Sequence, residues 1–339
     1  MSSTPITPDT PTASKRTEMF AGLWVDIYGL AEASPAATAY TILWLHHART
    51  RSKGHMADFA NRMLAHWAAQ PEHHARALLC VAFDQRNHGT RLLSEDANKS
   101  WKQGNQRHAQ DMVGGMAGMV ADTCALMDVL EGYLFPQTGG RVDQHMVLGK
   151  SLGGHTTWQT LFADERVTAG VAIVGCADFM RPELMTNRAR NAHIPSYNPE
   201  TPSSILGSPH FPADCVRTCT KYDPRGILFG TAAIPPSAAA TSPQERARIS
   251  ALLAGKVRGK RILATFGGAD TLVPYAASKR FLDYVCEATE TWARDAQFTV
   301  VRQVYEAAGH DFTEDMIAES LRFLSDAMKE APVTARHKI

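Results

Sequence analysis

Gln144-His-Met-Val-Leu-Gly-Lys-Ser-Leu-Gly-Gly-His155 sets the apolar stretch Met146-Val147-Leu148 directly against Gly149-Lys150-Ser151-Leu152-Gly153. An apolar strand running into Gly-x-Ser-x-Gly predicts a nucleophile elbow. The glycines have a mechanical reason. A strand that turns sharply into a helix, with a serine strained at the tip, leaves no room for side chains two residues to either side. A five-residue pattern with three fixed positions also arises by chance, so the reading needs a strand before it, a helix after it, and acid and base partners later in the chain. The first two are present: residues 156–162 read as a helix starting just after the glycines, and residues 169–175 as a further strand. This βαβ alternation predicts a parallel sheet buried on both faces.

Upstream, residues 20–30 and 40–45 are aromatic and β-branched runs, predicting two neighbouring strands at the start of the sheet. Met56, Phe59, Ala60, Met63, Leu64 and Trp67 recur at helical spacing over residues 56–69, and residues 77–83 form an apolar strand ending in Asp84-Gln85-Arg86-Asn87-His88-Gly89. Residues 112–133 read as a long helix leading through Pro136 and Gly139-Gly140 into the elbow strand. Gly114 and Gly118 would let that helix approach a neighbour closely; a phosphate-binding loop there lacks its strand and lysine.

Beyond Cys176 the alternation fails, as prolines at 182, 195, 199, 202, 209, 212, 224, 235, 236 and 243 punctuate short pieces up to about residue 250. A long irregular segment inside a compact domain predicts a functional insertion, here a lid over the elbow, against the plain alternative of surface loops. Regularity returns with a strand at 261–266, a helix at about 275–290, a strand at 298–305 and a helix at 314–328. The expected organisation is a disordered lead over 1–18, a core made of 19–175 and 251–330, and a lid or cap over 176–250.

The chain has 339 residues, 44% apolar and 20% charged, enough for the core of one α/β domain. A net charge of +1, with Lys and Arg scattered among acids, gives no footprint for nucleic acid or for an acidic membrane surface. No stretch approaches the roughly eighteen continuous apolar residues of a membrane helix. Residues 1–15 are rich in Ser, Thr and Pro and lack an apolar segment, which argues for a disordered lead rather than a signal peptide. Residues 335–339 match no standard peroxisomal or lipid signal. A cytoplasmic protein is expected.

Cys80, Cys124, Cys176, Cys215, Cys219 and Cys286 are expected to be free buried thiols. Cys215 and Cys219 lie one helical turn apart, but no second pair or histidine cluster supports a zinc site, and neither a metal nor a cofactor is expected. The sequon Asn98-Lys99-Ser100 has meaning only in a secreted protein.

A serine hydroxyl is a poor nucleophile unless a base takes its proton and an acid orients that base. After the strand ending at Phe266 comes Gly267-Gly268-Ala269-Asp270-Thr271-Leu272-Val273-Pro274; after the strand ending at Tyr305 comes Glu306-Ala307-Ala308-Gly309-His310-Asp311-Phe312. Asp270 and His310 therefore follow Ser151 in the order serine, acid, histidine, each beyond the C-terminal end of a strand. Asp270 has a bland alternative as a turn aspartate, and Asp311 competes as the acid but adjoins His310, awkwardly placed to grip that ring. His155 is expected to pack behind the site. His46, His47 and His88 either line the pocket or form turns. Lys150 either favours an anionic or polar substrate or is directed into solvent.

With these pieces assembled, the chain from about residue 20 to 328 resembles the α/β-hydrolase superfamily, on the elbow, the GGxDxxVP-like segment at 267–274 and Gly309-His310. More narrowly it is similar to a group of fungal serine hydrolases, esterase-like, that carry HPR after a strand, then FDxRNHG, NxRHAQDM and SLGGH. Here these are His47-Ala48-Arg49, residues 83–89, residues 105–112 and residues 151–155. The resemblance implies an α/β-hydrolase fold, with a mostly parallel central sheet flanked by helices and an inserted lid. It implies Ser151 as nucleophile, His310 as general base and acid, and Asp270 holding the imidazole's tautomer, with acylation followed by deacylation by water.

It also implies an oxyanion hole made by the backbone N–H of Leu152 and one from the loop at Ala48 and Arg49, although the superfamily's usual His-Gly is here His47-Ala48. The implied substrate is a small or medium-sized organic acyl compound, a carboxylic ester foremost, in fungal secondary metabolism, with no cofactor. The same triad serves thioesterases, lactonases, C–C bond hydrolases, acyltransferases and peptidases. A prolyl oligopeptidase kind is disfavoured because no propeller-length segment precedes the core. A non-catalytic binding protein on this fold is the alternative of another class, and the presence of all three triad members counts against it.

Overall fold

Strands and helices alternate in the order β1 (Lys15–Phe20), β2 (Leu23–Tyr28), β3 (Ala39–His46), α1 (Ala57–Ala68), β4 (Arg76–Phe83), α2 (His108–Leu134), β5 (Val142–Lys150), α3 (Leu152–Ala163) and β6 (Val167–Ile173). The chain continues through α4 (Asn187–Asn191), α5 (Ala213–Tyr222), α6 (Pro224–Phe229), α7 (Pro243–Val257), β7 (Arg261–Gly267), α8 (Tyr275–Glu290), β8 (Thr299–Tyr305) and α9 (Glu314–Lys329). The structure, a computed structural model, describes residues 12–136, 141–181, 184, 185 and 187–331. The expectations for residues 1–11, Gly139-Gly140, Pro182 and residues 335–339 lie outside the described residues.

The run over 20–30 is not one strand. β1 and β2 form an antiparallel hairpin in which Phe20 faces Leu23. Ala21 and Gly22, at φ +48° and +84°, make the two-residue turn between them. Two positive φ values are what a type I′ turn requires, and its usual signal is Asn-Gly or Asp-Gly, so Ala at the first position hid it. The hairpin also shortens the expected disordered lead: residues 15–18 pair in the sheet.

Among the described residues the strands form one sheet in the order β1-β2-β4-β3-β5-β6-β7-β8. β1 and β2 are antiparallel to their neighbours, and the ladders from β4 through β3 to β8 are all parallel. After β3 the chain crosses to β4 on one side, and β5 then returns to the other side of β3. The strand order reverses between β3 and β5, and the crevice beyond the C-terminal ends of such strands is where open α/β sheets bind ligands. Ala48 and Arg49 leave β3 at that point, and Ser151 leaves β5 beside them.

Both faces of the sheet are covered. One packs on Phe59 and Met63 of α1 and Leu324 and Met328 of α9. The other packs on Met119 and Leu126 of α2, Trp158 and Phe162 of α3, Ile249 and Leu253 of α7, and Phe281 and Val285 of α8. By length and composition α2 is apolar enough to cross a membrane. Here it lies along the sheet with Met119, Leu126 and Leu130 in the core.

The segment from Cys176 divides in two. Phe179, Leu184, Ile205, Phe211, Cys215 and Cys219 form a third apolar cluster with Trp101, Met112, Leu152 and Val273, over the end of the sheet that carries Ser151. Cys215 and Cys219 act there as apolar thiols. From Leu228 onward the segment joins the main core, so α7 belongs to the α/β layers rather than to the insertion expected over 176–250.

Candidate active site

Ser151 sits between β5 and α3 with φ +56° and ψ −112°, a positive φ that a non-glycine residue holds only where its surroundings over-determine it. Its N–H donates to Ile173 O at 2.8 Å, which ties the tip to β6. The turn is closed by glycine. A Cβ on Gly149 would lie 2.1 Å from Gly153 O, and one on Gly153 would lie 2.0 Å from His46 O. Helix α3 starts at Leu152, directly after the serine, earlier than the reading from residue 156. A further close approach, invisible in the pattern, holds α3 against the end of β6: a Cβ on Gly154 would meet Ile173 O at 2.8 Å.

Asp270 and His310 come from loops that are stitched to each other. Gly268 N–H donates to Tyr305 O and Ala269 N–H to Ala308 O, both at 2.9 Å. Gly267 has no room for a side chain against Gly309 O. This brings Asp270 Oδ2 within 2.7 Å of His310 Nδ1, and His310 Nε2 within 2.8 Å of Ser151 Oγ. The other carboxylate oxygen of Asp270 accepts the N–H of Leu272 at 2.8 Å and of Val273 at 3.0 Å. Burial alone would raise this carboxyl, but the His310 hydrogen bond and the two amides outweigh it and hold it below its ordinary value. Asp270 is therefore an ionised acceptor, Nδ1 carries the ring proton, and Nε2 is left free to accept from the serine hydroxyl.

The competitor Asp311 does not touch the imidazole. It pairs with Lys150 at 2.9 Å, which answers the question of where that lysine is directed.

Leu152 is the first residue of α3, so its N–H has no partner within the helix and lies at the positive end of the helix dipole. Opposite it, Ala48 to Arg51 form a turn: Arg51 N–H donates to Ala48 O at 3.2 Å, with Thr50 at φ +61°. His47 braces that turn. Its Nε2 accepts the N–H of Gln85 at 3.0 Å, which puts the ring proton on Nδ1, and Nδ1–H donates to Ala48 O at 2.8 Å. With the Ala48 carbonyl engaged from two sides, the trans peptide aims the Arg49 N–H the opposite way.

The segment over 83–89 supports the same loop from behind. Asp84 accepts the N–H of Lys53 at 2.7 Å and of Thr90 at 2.9 Å, and Arg86 and Arg91 both pair with Asp122 on α2.

A cleft of about 1040 Å³ opens over the serine, lined by Ala48, Arg49, Ser151, Leu152 and His310 among others. His46 and His88 do not line it. His46 is buried, bonded to Thr156 at 2.8 Å, and burial pulls it down to about 3. His155 does reach the cleft, contrary to the expectation that it packs behind the site. Its Nδ1 accepts the N–H of Cys176 at 2.9 Å, and burial keeps the ring neutral, at about 3. Trp101, His108 and Arg188, none singled out from the sequence, also line it. Their only sequence signal is the NxRHAQDM segment, which contains His108.

Comparison with known proteins is consistent with this architecture. A family model described as PhoPQ-activated pathogenicity-related protein matches residues 24–191, a span holding Ser151 but neither Asp270 nor His310. No curated protein matches the chain. Among solved structures, TT1662 from Thermus thermophilus is 19% identical, covering 95% of this chain and 100% of its own, with a TM-score of 0.51. A puromycin hydrolase is 13% identical over 97% of this chain and 40% of its own, with a TM-score of 0.52. A puromycin-hydrolyzing peptidase of Mycobacterium tuberculosis gives 13%, 94%, 39% and 0.52 for the same measures. This chain thus spans about two fifths of the length of those two. The shared architecture is the α/β-hydrolase fold.

Proposed function

We propose that this protein is a serine hydrolase that cleaves an acyl bond, a carboxylic ester foremost, through an acyl-enzyme on Ser151. The observation that carries this reading is the continuous chain Ser151 Oγ, His310 Nε2, His310 Nδ1, Asp270 Oδ2, with links of 2.8 and 2.7 Å, mounted on a strained elbow. As Ser151 Oγ attacks the acyl carbon its proton passes to Nε2, and Asp270 stabilises the imidazolium that forms without taking the proton itself. The tetrahedral oxyanion is held by the N–H of Leu152 and, from the facing turn, that of Arg49, whose peptide is oriented by His47 and Arg51. His310 then protonates the leaving alcohol. Water, deprotonated by the same nitrogen, releases the acid and restores Ser151.

The cleft volume suits a small or medium-sized organic substrate. The cluster built on Phe179, Ile205 and Phe211 acts as a cap that selects the substrate. The likeness to fungal hydrolases of secondary metabolism belongs to the same proposal, as does a cytoplasmic location, supported by six cysteines that are all unpaired. Peptide cleavage is the second reading, favoured by the fold likeness to puromycin-hydrolysing enzymes.

A panel of p-nitrophenyl esters, lactones, thioesters and aminoacyl amides, with Ser151→Ala as the blank, tests both. Ester turnover with a burst of one equivalent is the expected result. Turnover of the amides alone would favour the peptidase reading, and turnover by Ser151→Ala equal to the wild type would remove the mechanism.

A further inference from the structure

The cleft over Ser151 is lined by six cations, Arg49, Arg51, Lys102, Lys150, Arg188 and Arg190, and by no aspartate or glutamate among its described lining residues. A chain with a net charge of +1 does not make such a concentration by composition alone. The six are not equivalent. Lys150 is neutralised by Asp311, and Arg51, Lys102 and Arg190 are exposed at the rim, where water screens them.

Arg49 and Arg188 are partly buried and come from different walls: Arg49 from the turn after β3, Arg188 from α4 of the insertion. Each directs one guanidinium nitrogen to a backbone carbonyl, Arg49 to Asn98 O and Arg188 to Leu272 O. Among the described residues neither forms an ion pair with a carboxylate. The carboxylate whose field reaches Arg188 is that of Asp270, and its oxygens are already taken by His310, Leu272 and Val273.

Two guanidinium groups lining one partly dry cleft, near enough for the charge of one to act on the other and with no carboxylate paired to either, are unfavourable. Burial, and then the nearby Arg49, pull Arg188 down to about 10. A protein keeps such an arrangement where a ligand supplies the missing charge. Planar donors on two walls match the two-oxygen face of a carboxylate or a phosphate, whereas Lys would meet it only as a point charge. Trp101 lines the same cleft, is 4% exposed, and its buried indole Nε1–H has no hydrogen-bond partner.

We propose that Arg49 and Arg188 form an oxyanion-group subsite beside Ser151, so that the substrate is an acyl compound carrying a carboxylate or phosphate away from the bond that is cleaved. This rests on the hydrolase reading, which it narrows to one substrate class. The charge that Lys150 suggests in the sequence is thus supplied by residues from the β3 turn and the insertion.

The test compares the p-nitrophenyl hemi-ester of adipic acid with p-nitrophenyl hexanoate, equal in chain length and differing in one carboxylate, and with p-nitrophenyl 5-phosphonopentanoate. The wild type should show kcat/KM at least tenfold higher for an anionic ester than for the neutral one, with the larger of the two anionic ratios naming the group. That ratio should fall toward one in Arg188→Gln and in Arg49→Gln, mainly through KM. Because Arg188 also holds Leu272 O, the ratio rather than the absolute rate is the readout.

In parallel, calorimetric titration of Ser151→Ala with the anionic and the neutral esters should show tighter binding of the anionic ones, a preference that Ser151→Ala/Arg188→Gln lacks. Equal kcat/KM for charged and neutral esters, a ratio unchanged in both arginine variants, or no preference for the anionic esters in the titration would overturn the subsite. Binding to Ser151→Ala without any turnover by the wild type would uphold the subsite while sinking the hydrolase reading.

Discussion

At the scale of single residues, the site is set by where a Cβ cannot go and by which oxygen is free to accept. Gly149→Ala and Gly153→Ala each drive a methyl group to within about 2 Å of a backbone oxygen of the elbow or of β3. The backbone would have to move, so each should lower stability by about 3 kcal/mol or more in urea unfolding and abolish ester turnover. The two acids are separated the same way. Asp270→Asn leaves His310 without the acceptor that fixes its tautomer and should lower kcat by about 10³- to 10⁴-fold. Asp311→Asn breaks only the pair with Lys150 and should change kcat less than about tenfold; steady-state kinetics on one neutral ester measures both.

Ser151, Asp270 and His310 were legible because strand ends and chain order constrain them through covalent sequence alone. Arg188, Trp101 and His108 were not. Their place in the cleft follows from how α4, the loop before α2 and the first turn of α2 pack, and nothing in their local spacing encodes that.

At the scale of elements, long periodic segments were readable and tight joints were not. α8 occupies residues 275–290, as expected, and β7 and α9 end within one residue of expectation. The hairpin turn at Ala21-Gly22 escaped because alanine is not a turn signal, and the earlier start of α3 escaped because two glycines read as a break in a helix rather than as its first turn. Those glycines are there for packing. A Cβ on Gly175 would fall 2.4 Å from Gly154 C, so β6 and α3 meet backbone to backbone. Gly175→Ala should push them apart, with a loss of about 2–4 kcal/mol in urea unfolding. Val174, at φ +44°, is a strained β-branched residue at that same joint. A Gly175→Ala variant as stable as the wild type would show that the joint relaxes freely.

At the scale of the whole molecule, a sheet covered on both faces reserves its chemistry for one edge, and it also buries neutral imidazoles throughout. Burial pulls His46, His108 and His155 down to about 3, and His47 and His145 down to about 4, from 6.5. Below pH 6.5 the unfolded chain binds protons that the native state refuses until pH 3–4. Stability is therefore highest above 6.5 and is lost as the pH falls through that window, by up to about 1.4 kcal/mol per pH unit for each ring. The urea midpoint should drop steeply between pH 7.5 and 5, equivalent to several kcal/mol in total; a midpoint flat over that range contradicts the buried-neutral assignment.

Activation of Ser151 as a nucleophile by His310 and Asp270 is open to covalent labelling with a fluorophosphonate, mapped by peptide mass spectrometry. The expected result is one phosphonyl group per chain, on Ser151, with labelling lost in Ser151→Ala and slowed by about 10³-fold or more in His310→Ala. Folded wild-type protein that takes up no label, or takes it up on another residue, would rule out Ser151 as the activated nucleophile.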